Sequence, residues 1–78
     1  MPNIELLKQK IKESGMTMVA IAEKTGILRE TLYNRLNQES EFKASEIAAL
    51  TLALHLTKEE RDAIFLQNSV NYIHYVKK

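Results

Sequence analysis

The stretch that most constrains what this chain can fold into is residues 17–37, TMVAIAEKTGILRETLYNRLN, where two short helical patterns meet across Thr25-Gly26-Ile27. In the first pattern Val19, Ile21 and Ala22 are apolar while Glu23 and Lys24 are polar, which predicts a short amphipathic helix. Thr17 is placed to start it, since a threonine hydroxyl at the N-cap accepts from an early backbone N–H that has no partner inside the helix. Gly26 is placed to end it, because glycine adopts the left-handed conformation past a helix terminus without a Cβ clash. In the second pattern Leu28, Leu32 and Leu36 recur at i, i+4 and i+8 and predict an inward stripe, with Arg29, Glu30, Tyr33 and Asn34 off it.

The rest of the chain has to supply a core for those two inner faces. Its 78 residues suffice for one small domain with a modest core, a size that excludes most enzyme folds. Cysteine is absent, so there is no disulfide framework and no thiolate metal site, and a reducing compartment is expected. The opening MPNIELLKQK lacks the apolar run and small-residue cleavage site of a secretory signal, and no apolar run is long enough to span a bilayer. A soluble cytoplasmic protein is therefore expected. The net charge of +1 provides no basic excess of the kind common in nucleic-acid binders, so the distribution of charge must decide the partner.

Before the central pair, Asn3 is placed to cap a helix with Ile4, Leu7 and Ile11 on one side, and Gly15 to stop it. Lys8, Lys10 and Lys12 make a short basic run on that helix. Each suits a solvated face, and one or two would reach a flanking phosphate if the helix docked beside the central pair. After the pair, Gln38 to Lys43 predicts a polar loop anchored by Phe42, whose burial is worth roughly 1.5–3 kcal/mol. SEIAALTLALHL then predicts the central core helix, capped by Ser45, with Ile47, Leu50 and Leu54 on one face and Ala48, Ala49 and Ala53 admitting close neighbours. Thr57-Lys58-Glu59-Glu60 matches a capping box and predicts a last helix running to about Asn68. These elements divide the chain into a domain over 1–68 and a tail over 69–78. In the tail Val70, Tyr72, Ile73, Tyr75 and Val76 favour a strand, which would need a partner such as a second subunit; irregular packing and continuation of the helix are the alternatives.

A helix, a glycine-containing turn and a second helix that turns an arginine, a carboxylate, a tyrosine and an amide outward make the pattern of a helix-turn-helix. With Met16-Thr17 opening it, Ala22-Glu23-Lys24-Thr25-Gly26 entering the turn and Thr31-Leu32-Tyr33-Asn34-Arg35-Leu36 closing it, the chain resembles the Cro/repressor helix-turn-helix family, lambda-repressor-like, of phages and bacteria. EFKASEIAALTLALHLTKEERDAIF resembles the remainder of short Cro-like or antirepressor proteins from phages of Gram-positive bacteria, so the resemblance covers about residues 4–67. It implies a mostly α, compact bundle of four to five helices; the C-terminal β-strand or extended tail read from residues 69–78 lies outside the resemblance. It also implies a homodimer bound to double-stranded operator DNA, with the second helix in the major groove. Carried over residue by residue, the base-edge positions fall on Leu28, Arg29 and Glu30, then on Tyr33 and Asn34, and the phosphate-facing positions on Thr17 and Lys43. Arginine donates two hydrogen bonds to guanine, asparagine pairs with adenine, and a carboxylate accepts from the cytosine amine.

The chain departs from the family at several of these places. Met18 stands where a phosphate-binding glutamine is common, Leu28 where a serine or threonine cap is common, and Glu39 and Glu41 in a loop that often carries basic residues or glycine. Carboxylates there face a duplex that carries one negative charge per roughly 1.7 Å of axis. Weak intrinsic DNA affinity, or binding that depends on a dimer, is expected. The same departures suit a second function, an antirepressor or modulator of repression that docks onto a partner phage repressor. Met18, Leu28 and Tyr33 would form its apolar patch, and Glu30, Glu39 and Glu41 would meet the partner's basic surface.

An enzyme is not expected. His55 and His74 lack cysteine or carboxylate neighbours at metal-ligand spacing, His55 suits a helix end, and the serines suit turns and caps. Two glycines are too few for a phosphate-cradling loop. No metal, cofactor or small-molecule ligand is called for.

Overall fold

A computed structural model describes residues 2–66, which form five α-helices. These are α1 (Ile4–Ser14), α2 (Met18–Thr25), α3 (Arg29–Leu36), α4 (Ala44–Ala53) and α5 (Lys58–Phe65). They make a compact helical bundle with no strand among the described residues. The tail over 69–78, with its strand, its alternatives and any dimer contact, lies outside the described residues, as does Asn68.

Local chemistry sets most of the boundaries. Asn3 Oδ1 accepts from the Leu6 N–H at 3.1 Å to open α1, and Thr17 Oγ1 accepts from the Ala20 N–H at 3.1 Å to open α2. Gly15 and Gly26 close these helices at φ 73° and 76°, a region that a side chain enters only at a cost. Thr57 and Glu60 complete the capping box of α5, with the Glu60 N–H donating to the threonine hydroxyl at 3.0 Å and the Thr57 N–H to the carboxylate at 2.9 Å.

Ile4 and Leu7 of α1, Ile21 of α2, Leu32 and Leu36 of α3, Leu50 and Leu54 of the α4 segment and Ile64 of α5 meet in one core. In this arrangement α4 packs against α2 and α5, α2 also against α3, and α1 against α5. Phe42 anchors the α3–α4 loop by meeting the Phe65 ring edge-on, at 5.2 Å between centroids and 76° between planes. No helix of the described residues is long and apolar enough to cross a membrane.

Three expectations are corrected here. Leu28 does not join Leu32 and Leu36 on the inward stripe: it is 73% exposed, and Ile27 is buried in its place. Leu28 is the N-cap, with extended angles of φ −60° and ψ 142°, so its side chain precedes the helical repeat. Ser45 does not cap α4; Lys43 holds that position, and the carboxylate of Glu46 accepts its N–H at 2.9 Å. The last helix ends at Phe65, short of Asn68, because Leu66 leaves the helical region at φ −116° and ψ 23°.

Candidate nucleic-acid interface

The α2–α3 turn is held by hydrogen bonds as well as by packing. The Thr25 hydroxyl donates to the Ile21 carbonyl at 2.8 Å and accepts from the Ile27 N–H at 3.2 Å, while the Gly26 N–H reaches the Ala22 carbonyl at 2.9 Å. Ile21, Ile27 and Leu32 are buried beneath it. The first backbone bond of α3 runs from the Leu32 N–H to the Leu28 carbonyl at 2.9 Å, so Leu28 is fixed to the helix although its side chain is in water.

On the solvent side of α3, Arg29, Glu30 and Tyr33 are exposed and Asn34 is half-buried. Helical spacing gathers them into two adjacent rows, Arg29 with Tyr33 and Glu30 with Asn34. Arg29 forms no ion pair among the described residues, which leaves its planar fork of donors free. Thr17 is exposed at the start of α2, its hydroxyl oxygen already engaged as a cap. Lys43 is exposed at the start of α4 with its ammonium unpaired among the described residues. Between the turn, α3 and the start of α4 lies an open cleft of about 360 Å³, with Leu28, Thr31, Lys43 and Ser45 on its walls.

The apolar residues suggested for a protein partner are not all alike. Met18 is half-buried and packs against the core, whereas Leu28 and Tyr33 are exposed, at 73% and 46%. Leu28 precedes α3 as its extended N-cap, whereas Tyr33 lies within the helix. Glu39 and Glu41 are exposed in the α3–α4 loop. Of the basic run on α1, Lys8 and Lys12 are exposed, but Lys10 is tied to Glu60 of α5 at 2.5 Å. That helix packs on α5, and Lys10 serves the joint between them.

Sequence reasoning missed Arg35, which positions this face from behind. Its guanidinium donates from Nε and Nη2 to the two carboxylate oxygens of Glu46 at 2.8 and 2.9 Å, and from Nη1 to the hydroxyl of Ser40. Both charged side chains of the pair are nearly buried, at 12% and 11% exposed. Hydrogen bonding to Arg35 holds the Glu46 carboxyl below its ordinary range against the opposing effect of burial, with help from the Lys43 N–H. The fork thus ties α3, the loop and α4 together. A glutamate three residues after Lys43 was the available signal, as the N3 half of a capping box, but nothing local points from it to Arg35.

Among the described residues no three His, Cys, Asp or Glu side chains converge as a metal site would require. Comparisons of the chain with protein-family models, curated proteins and solved structures returned no match.

Proposed function

We propose that this chain is a sequence-specific DNA-binding regulator of transcription of the Cro/repressor type, acting as a homodimer with α3 in the major groove of a double-stranded operator. The observation that carries this reading is the outer face of α3, where Arg29, Glu30, Tyr33 and Asn34 stand in two rows on a helix locked to α2. A helix fits the major groove, where guanine presents two acceptors to Arg29, adenine an acceptor and donor to Asn34, and cytosine an amine to Glu30. Thr17 and Lys43, at the starts of α2 and α4, serve the flanking phosphates. With a net charge of only +1, phosphate attraction is modest, and base contacts and dimerisation carry more of the affinity.

Selection from a random duplex library at low salt tests the reading. An enriched motif is expected, and Arg29→Ala is expected to weaken binding to it about tenfold or more, with helical content unchanged. A library from which the chain enriches nothing would overturn it.

A second reading, a modulator that docks on a partner repressor, is favoured by the exposure of Leu28 and by the exposed carboxylates Glu39 and Glu41. In that case a repressor encoded nearby copurifies with the wild type, and Glu39→Lys weakens the complex by reversing a rim charge. Equal recovery with the variant would count against this surface.

A further inference from the structure

We propose that the C-terminal segment of this chain, residues 70–78, folds back onto its own bundle and fills the groove between the N-terminal segment and the α3–α4 loop. The proposal rests on neither functional reading above; under the second, it makes the basic tail an internal competitor for Glu39 and Glu41.

The groove holds about 250 Å³ and is lined by apolar Pro2, Ile4 and Phe42 and by charged Arg35, Glu39 and Glu41. Pro2 and Phe42 are only half-buried, so apolar surface is left for an occupant to take out of water. The Arg35 guanidinium is already engaged by Glu46 and the Ser40 hydroxyl. Glu39 and Glu41 are exposed and form no ion pair among the described residues. An apolar lining beside two unpaired carboxylates complements an apolar segment that carries cations and no acid of its own.

The tail has that chemistry. Val70, Tyr72, Ile73, Tyr75 and Val76 supply apolar and aromatic groups, Lys77 and Lys78 follow them, and no aspartate or glutamate occurs after Asp62. The tail also starts at the right place, because both walls of the groove are tied to the last turn of α5. The Asn3 N–H donates to the Ile64 carbonyl at 2.7 Å, and the Phe42 ring meets that of Phe65 at 5.2 Å between centroids. The chain therefore leaves α5 beside the groove. Residues 67–78, 12 in all, reach up to roughly 40 Å when extended, which leaves polar Gln67, Asn68 and Ser69 for the turn back. So short a tether holds the segment at an effective concentration on the order of millimolar, which favours a chain's own tail over that of a second copy in dilute solution.

The test follows the full 78-residue chain by NMR. Nuclear Overhauser contacts from Val70, Tyr72 or Ile73 to Pro2 and Phe42 are expected, and they should persist within a labelled chain mixed with excess unlabelled chain. Contacts that run only between labelled and unlabelled chains would seat a second copy's tail in the groove and overturn the proposal. A tail that touches neither Pro2 nor Phe42 would overturn it as well. Chymotrypsin, which cuts after Tyr72 and Tyr75, tests the charge pairing. Cleavage of the Glu39→Lys/Glu41→Lys variant is expected to be about fivefold faster than that of the wild type, the effect of losing two exposed ion pairs. The charge-matched Glu23→Lys/Glu59→Lys variant, changed at two exposed carboxylates outside the groove, is expected to be cut at the wild-type rate. Equal cleavage of the two double variants would overturn the proposal.

Discussion

Two joints of the bundle use the same device with different strength. At the α3–α4 joint, Glu46 accepts the N–H of its N-cap residue and pairs with Arg35 of the preceding helix. At the α1–α5 joint, Glu60 accepts the N–H of its N-cap residue and pairs with Lys10. In each case one carboxylate both starts a helix and ties it to another. The first joint has a two-pronged guanidinium fork between side chains 12% and 11% exposed; the second has a single ammonium contact between side chains 22% and 33% exposed. Planar bidentate pairs fix direction as well as distance, and solvent weakens the more open pair. The stronger joint lies directly behind the proposed reading helix, where orientation matters, and the weaker one lies on the far helix pair.

Removing the two carboxylates should separate the joints. Glu46→Ala leaves the Arg35 guanidinium without its carboxylate, with only the Ser40 hydroxyl bonded to it, and frees the start of α4, at an expected loss of about 3 kcal/mol. In a domain of this size that lowers Tm by more than about 10 °C. Glu60→Ala, measured the same way, should lower Tm by clearly less. Double-mutant cycles on Arg35/Glu46 and Lys10/Glu60 sharpen the contrast, and a larger coupling for the second pair would reverse the ranking of the joints.

The pH dependence of stability offers a finer test. Both carboxyls are held below their ordinary range, Glu46 first by hydrogen bonding to Arg35 and Glu60 first by hydrogen bonding to Lys10. A group whose folded pKa is depressed stabilises the fold above its unfolded value, and that stability is lost as pH falls through the folded value. Denaturant unfolding should therefore show stability falling from about pH 5 downward, with Glu46→Gln flattening the slope. On the alkaline side the joints part. Lys10 is held protonated by Glu60, so its contribution is present below the ordinary lysine range and lost as pH rises through the raised value, whereas Arg35 stays charged.

These joints also show how much of the molecule was legible in its amino acids. Asn3, Thr17, Gly15, Gly26 and the Thr57–Glu60 box were readable because each bond they make lies within a few residues. The outward set Arg29, Glu30, Tyr33 and Asn34 followed from helical period alone, and Asn34 proved only half-exposed. Arg35–Glu46 was not legible, since the partners are 11 residues apart with a loop between them. The ends of α3 and α4 were legible in place, from the polar loop at Gln38 and from His55 as a helix end, but not in conformation. Gln38 and His55 take left-handed angles of φ 62° and 55° there, positions usually marked by glycine. Leu28 misled for a related reason: the turn after Gly26 sends Ile27 into the core, and Leu28, as the extended N-cap, precedes the helical repeat that buries Leu32 and Leu36.

The smallest expected effect bears on that leucine and on what a helix start is for. The starts of α4 and α5 are built for stability, each with a glutamate bonded to the N-cap N–H, whereas α3 begins with no side-chain bond at all. Restoring a cap at that start should strengthen the fold. Leu28→Ser places a hydroxyl where the extended N-cap conformation already exists, and it takes nothing from the core because the leucine is in water. A gain of about 1 kcal/mol is expected, or roughly 4–8 °C in Tm. A variant less stable than the wild type would instead assign Leu28 a packing role that its exposure does not suggest.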